Sequence, residues 1–87
     1  MRLNTDVNAD RLAENLAKAE TMQKYGLFFQ QMGELSLAVS VYNRILDLGG
    51  DNVQLRFNLG SAKLNQIRPT EALEQFKAGI RMRPDEP

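Results

Sequence analysis

The sequence predicts an all-α fold, an α-solenoid of two antiparallel helix-turn-helix units behind an N-terminal helical extension. Three observations carry this. Long stretches rich in helix formers are punctuated only by Gly and Pro, and β-branched residues are few. Small residues and aromatics recur at one fixed offset: Gly26 and Gly60, Ala38 and Ala72, and Tyr42 and Phe76 each lie 34 residues apart. The same step joins Val39 to Leu73, Leu48 to Met82, and Gly50 to Pro84, and internal repetition at this period indicates a helical solenoid. Finally, 87 residues at 43% hydrophobic suit one small domain over residues 1–87. Such a chain buries only about 60% of its unfolded surface, so an unused apolar face becomes a contact surface.

The extension, residues 1–18, does not continue the pattern backward, because the positions 34 before Ala38 and Tyr42 are Asn4 and Asn8. "DRLAENLAKAETMQKYG" nevertheless holds no Gly or Pro before Gly26, and Leu12, Leu16 and Ala19 are spaced for one helix face. A helix is expected from near Asp6, with Thr5, Asp6 and Asn8 all competent caps. It either runs on to Gln31 or bends around residues 17–20. The extension then caps the solenoid or serves as a dimerisation arm.

In the first unit, residues 19–52, "ETMQKYGLFFQQMG" is a helix closed by Gly33. "SLAVSVYNRILDLGG" is a second, closed by Gly49 and Gly50, with Ser36 as its cap unless Glu34 or Leu35 is already helical. In the second unit, residues 53–86, Asn52 caps "NVQLRFNLGSAKLNQI", and Pro69 opens "RPTEALEQFKAGIRMR" at the first helical position, where its missing N–H costs nothing.

One stretch resists this reading. In "NVQLRFNLG", Val53, Leu55, Phe57 and Leu59 alternate with polar residues as in a half-buried strand. As a helix it carries two stripes, one of Val53, Phe57, Gly60 and Leu64 and the other of Leu55, Leu59 and Ala62. The 34-residue offset selects the helix. One stripe then faces its own hairpin, and Val53, Phe57 and Leu64 are left for a groove ligand or a neighbouring helix.

Leu59-Gly60, Ala72, Phe76, Gly79 and Pro84 in the second unit, with Gly26, Phe29, Gly33, Ala38 and Tyr42 in the first, resemble the tetratricopeptide repeat family over about residues 19 to 86. There Gly and Ala let paired helices approach and the aromatic fills the wedge between them. The chain departs from the family pattern in several places. Met22 and Arg56 stand where a large aromatic is common, Lys63 where Tyr is, Ile67 where Gly is, and Gly50 where Pro is. Arg56 and Lys63 can lay aliphatic stems on the core with the charge in water, which predicts a looser second unit.

Composition excludes much. Eleven basic and eleven acidic residues cancel, which disfavours a general grip on nucleic acid or adsorption to a membrane surface. No apolar run approaches the roughly 18 residues of a transmembrane helix, and the N-terminus lacks a signal peptide's apolar core, so a cytoplasmic location is expected. With no His and no Cys, the commonest general base, nucleophile and metal ligands are missing, and neither catalysis nor a cofactor is expected. Glu14, Glu20, Glu34, Glu71 and Glu74 fall on expected solvated faces. "DLGGDN" lacks the ligand spacing of a calcium loop and the Lys-Ser/Thr of a phosphate loop, and reads as a turn. Ser36, Ser40 and Ser61 have no base partner in the pattern. Met22, Met32 and Met82 read as core filler. Lys77, Arg81 and Arg83 complement a helix C-terminus.

What remains is a binding surface. The resemblance implies a groove lined by the first helix of each unit, which holds a peptide or helix of a partner protein. Carried onto this chain, its lining is Gln23, Leu27, Gln30 and Gln31 in the first unit and Phe57, Ser61, Leu64 and Asn65 in the second. The family's carboxylate clamp uses Lys, Asn and Arg, so the acidic tails of heat-shock chaperones are disfavoured here. Alternatively, Phe57 and Leu64 pack against the neighbouring first helix or a third unit. A scaffold or adaptor role is expected. Two alternatives stand beside it: self-assembly, as a homodimer or a slice of a longer array, and a role as one of the small chaperones of secretion-system subunits, since those chaperones carry similar repeats. Two units fall short of the usual three, so a homo-oligomer, a longer parent chain or an obligate partner is expected.

Overall fold

The computed structural model describes the backbone of residues 2–82 and the side chains of residues 9–82. Four helices follow in order, α1 (Arg2–Gln31), α2 (Leu35–Asp47), α3 (Val53–Asn65) and α4 (Pro69–Arg81), with no strand among the described residues. The stretch that alternates like a strand is the first half of α3. Arg83 and Pro84, which belong to the repeat pattern, lie outside the described residues.

Three helix ends close in the same way. Past α1, the Glu34 N–H donates to the Phe29 carbonyl (2.8 Å) and the Gly33 N–H to that of Gln30 (3.1 Å), with Gly33 at φ +81°. Past α2, Gly50 and Gly49 make the same pair of bonds to Ile45 and Leu46, with Gly49 at φ +84°. Past α3, Arg68 donates to Lys63 and Ile67 to Leu64, both at 2.9 Å. This is the double bond of the Schellman closure, whose left-handed residue is normally Gly. Ile67 occupies that place at φ +61°, where a β-branched side chain is strained.

Helix starts are less uniform. The Leu55 N–H donates to Asn52 Oδ1 at 2.7 Å, so Asn52 is the expected cap of α3. Pro69 opens α4 as expected. Ser36 is not a cap, because α2 already begins at Leu35 behind Glu34. The first helix begins at Arg2 rather than near Asp6, which places Thr5, Asp6 and Asn8 inside it, and it runs unbroken to Gln31. At about 1.5 Å per residue, α1 is more than twice the length of α2, and its N-terminal half projects past the hairpin.

The helices form two hairpins in a row. α1 pairs with α2, α3 pairs with α4, and α2 lies against α3. Close approach in each hairpin depends on one glycine. A Cβ on Gly26 would lie 2.4 Å from Tyr42 Cε1, and one on Gly60 2.6 Å from Phe76 Cε1. Phe57 and Phe76 stack tilted at 6.1 Å, and the Phe57 ring also covers Gly79. The main core lies between the hairpins, where Leu55, Leu59 and Ala62 of α3 join Ala19, Ala38, Tyr42 and Ile45. Burying Leu55, Leu59 and Ile45 fully contributes roughly 2 kcal/mol each.

The two stripes of α3 are therefore used in a different way from the one expected. Leu55, Leu59 and Ala62 cover the first hairpin, and Phe57 and Gly60 face α4 in their own. Arg56 and Lys63, read in the sequence as a sign of a looser second unit, each bond to a side chain of α4. Arg56 forms a two-bond pair with Asp51 (Nε to Oδ1 and Nη2 to Oδ2, both 2.8 Å) and donates to Gln75 Oε1 on α4 at 2.8 Å. Lys63 Nζ reaches Glu71 Oε1 at 2.8 Å. Met22 packs on the core as expected, but Met32 and Met82 are exposed. Among the described residues, no helix is long and apolar enough to cross a membrane.

Candidate partner-binding groove

α1 and α3 run side by side across the gap between the hairpins, and a cleft of ≈ 380 Å³ opens between them. Its walls are Glu20, Gln23, Lys24 and Leu27 of α1 and Gln54 and Asn58 of α3. A second cleft, of ≈ 290 Å³, shares Glu20 and Gln23 and adds Leu16, Ala19 and the turn at Gly50, Asp51 and Asn52. The two lie next to each other along α1, between the α2–α3 turn and Leu27.

Helical spacing explains why these residues converge. Glu20, Lys24 and Leu27 stand at i, i+4 and i+7, one face of α1. Gln54 and Asn58 stand 34 residues after Glu20 and Lys24 and occupy the matching face of α3. Gln54 Nε2 donates to Asn58 Oδ1 at 2.8 Å, which orders the α3 wall. It leaves the Gln54 carbonyl as an acceptor and the Asn58 amide N–H groups as donors for a ligand. One Glu and one Lys cancel along the α1 wall, so the lining is neutral. Asp51 at the groove's end is engaged by Arg56, whose guanidinium it holds above the usual arginine range through their hydrogen bonds.

Of the residues expected to line a groove, Gln23 and Leu27 do so. Gln30 and Ser61 are bound into the scaffold instead. The Tyr42 hydroxyl donates to Gln30 Oε1 at 3.0 Å, and Gln30 Nε2 donates to Ser61 Oγ at 3.1 Å. This chain of bonds ties α2, α1 and α3 together. Tyr42 is fully buried, and burial pushes its phenol up to about 12. Phe57 is turned onto Phe76 and Gly79 in its own hairpin. Gln31, Leu64 and Asn65 are exposed and line neither cleft.

Glu20, Lys24, Gln54 and Asn58 line the groove without having been expected there. A signal for them exists in the sequence, because they continue the helical step back from Leu27 and repeat at the 34-residue offset. Of the expected pairs Gln23 with Phe57 and Gln30 with Leu64, Gln23 lines both clefts, whereas Phe57 and Gln30 are taken into the scaffold and Leu64 is exposed.

The groove offers hydrogen-bonding amides and an apolar floor. Among the described residues it holds no positioned nucleophile, and no group of three or more His, Cys, Asp or Glu is gathered to hold a metal ion. No protein-family model matches the chain, and neither a curated protein nor a solved structure does so.

Proposed function

We propose that the chain is a two-unit tetratricopeptide-like α-solenoid that works as a non-catalytic interaction module, holding an extended segment of a partner protein in the groove between α1 and α3. The observation that carries the reading is the groove's lining, with Leu27 set among the amides Gln23, Gln54 and Asn58 in a neutral wall. An extended peptide brings unpaired backbone N–H and C=O groups, and each amide side chain can donate to one and accept from the other. Leu16 and Leu27 give apolar side chains of the ligand a place out of water. From Leu16 to Leu27 the groove spans roughly 16 Å, room for about five extended residues.

The solenoid part of the reading is supported by positions that do the same work 34 residues apart. Gly26 lies under Tyr42 and Gly60 under Phe76. Gly33 and Ile67 both take the left-handed conformation that ends the first helix of a hairpin.

A displayed library of random peptides, panned on the full chain, tests the binding role. The expected result is enrichment of short sequences with one or two aliphatic or aromatic anchors and no requirement for a free C-terminus. Leu27→Glu and Asn58→Ala should each weaken the selected peptides at least tenfold by fluorescence polarisation. Equal binding by Leu27→Glu and the parent would remove the groove from the account.

A further inference from the structure

α3 touches all three other helices, α2 packs between α1 and α3, and α1 and α4 do not touch, so each of these two keeps an outer side without a neighbour among the described helices. Both end helices keep apolar outer faces. On α4, Leu73 is 51% and Ile80 63% exposed. On α1, Tyr25 is 59% and Phe28 54% exposed.

The contact between α2 and α3 shows what these faces correspond to. α3 contributes Leu55, Leu59 and Ala62, all buried. The residues 34 earlier on α1 are Thr21, Tyr25 and Phe28, all exposed. α2 contributes Tyr42, with Val39 and Leu46 packed at the edge of the core. The residues 34 later on α4 are Phe76, Leu73 and Ile80, and each is more exposed than its counterpart. The molecule thus carries at opposite ends the positions equivalent to the two halves of its internal interface, apolar at Tyr25 and Phe28 on α1 and at Leu73, Phe76 and Ile80 on α4, and uncovered by any described residue. A row of helices that stopped in solvent would be expected to end in polar faces.

We propose that the occupant of both faces is a second copy of this chain, with α1 of one molecule docked on α4 of the next as α3 is docked on α2 within it. Tyr25 and Phe28 lie over Leu73, Phe76 and Ile80. Both are bulkier than Leu59 and Ala62, so α1 stands further from α4 than α3 does from α2. Beside Tyr25 a shallow hollow of ≈ 470 Å³, lined by Ala17, Lys18, Thr21 and Met22, opens where α1 has the small Thr21 and α3 has Leu55. The hollow receives a side chain from the outer face of α4. The contact is heterologous, with different surfaces on its two sides, so each docked molecule leaves a free face and assembly continues with concentration. The inference rests on the two-unit part of the proposed function and is independent of the groove, since Tyr25, Phe28, Leu73 and Ile80 line neither of its clefts.

Sedimentation of the full chain between roughly 1 μM and 1 mM, where modest interfaces associate, tests it without any peptide. The parent is expected to rise above its 9.8 kDa monomer mass and keep rising. Tyr25→Glu removes one face and Ile80→Glu the other, so each variant alone should stay monomeric. An equimolar mixture should form a one-to-one dimer and stop there, since only one intact interface can form. Phe28→Asp with Leu73→Asp makes a second pair with the same expected pattern, and circular dichroism checks that helicity is kept. A parent that stays monomeric to the highest concentration overturns the proposal, as it would if another protein or a further stretch of chain covers these faces. Tyr25→Glu associating as well as the parent overturns it too, because identical faces would then be pairing.

Discussion

Tyr42 and Phe76 occupy the same place in the two hairpins, each over a glycine, yet Tyr42 is 0% exposed and Phe76 only partly buried. The difference is the neighbour. α3 closes over α2, whereas no described helix lies on the outer side of α4. The first hairpin is accordingly sealed by apolar contact and by the Tyr42–Gln30–Ser61 hydrogen bonds. The second is braced at its surface by Arg56 with Asp51 and Gln75, and by Lys63 with Glu71. Ion pairs at a surface contribute little, because water screens the attraction and two long side chains must be ordered to form them. Lys63 holds the Glu71 carboxyl below its usual range, chiefly through their hydrogen bond, but Glu71 itself lies in solvent. Two similar hairpins are therefore expected to differ in stability because of what stands beside each of them.

Truncating the two aromatics should show the largest contrast. Tyr42→Ala is expected to cost about 4 kcal/mol and Phe76→Ala about 2 kcal/mol, because only the first leaves a closed cavity. At roughly 0.05–0.15 kcal/mol per residue of total stability, the first change removes much of the fold, and urea denaturation followed by circular dichroism would show it. Measured below the concentration at which copies associate, equal losses would mean that Phe76 is as enclosed as Tyr42 within the single chain.

The glycines beneath the rings sharpen the same comparison. Gly26→Ala should destabilise by about 3 kcal/mol, since the Tyr42 ring is enclosed and held through Gln30. Gly60→Ala should cost about 1 kcal/mol, because Phe76 is only partly buried and yields more easily than the enclosed Tyr42, and alanine favours the helix. Thermal melts of the two variants side by side decide whether the rings differ in freedom.

Alkaline titration probes Tyr42, and comparison with Tyr42→Phe isolates its share. Its folded pKa lies above the unfolded value of 10.0, so its contribution is fully present below pH 10 and is lost as pH rises toward about 12. The loss should reach roughly 2–3 kcal/mol. Tyr42→Phe should flatten that part of the stability–pH curve, and Phe76→Tyr should not deepen it comparably if the second hairpin is the more open one.

Helix closure gives the smallest effect and the opposite sign. Ile67→Gly should stabilise by about 1 kcal/mol by relieving the left-handed strain. Ile67 is 86% exposed, so little packing is lost. Gly33→Ile should cost at least as much, since Gly33 holds the same conformation in the first hairpin. A melt showing Ile67→Gly neutral or destabilising would give the isoleucine a contact that offsets its strain.

Much of the fold is legible in the sequence alone. Gly33, Gly49, Asn52 and Pro69 mark helix ends by local chemistry, which needs only neighbouring residues to act. Gly26 with Tyr42 and Gly60 with Phe76 are legible as an offset, because a close approach demands the same small and large residues wherever it recurs. The groove is half legible. Its pattern points to Gln23 and Leu27, which line it, and equally to Gln30, Phe57 and Ser61, which belong to the scaffold. An amide or an aromatic on a helix reads the same whether it faces solvent, a partner helix or a ligand.

The sequence by itself determined four helices, most of their boundaries and the paired glycine–aromatic contacts, since these depend on local propensity and on spacing along one chain. Tertiary structure alone decided which stripe of α3 seals the first hairpin and which grips α4. It also decided that Arg56 and Lys63 brace the second hairpin and that apolar faces remain on α1 and α4. The physical reason is that burial is a property of what stands opposite a side chain, and a helix of period 3.6 offers the same residues to whichever neighbour reaches it.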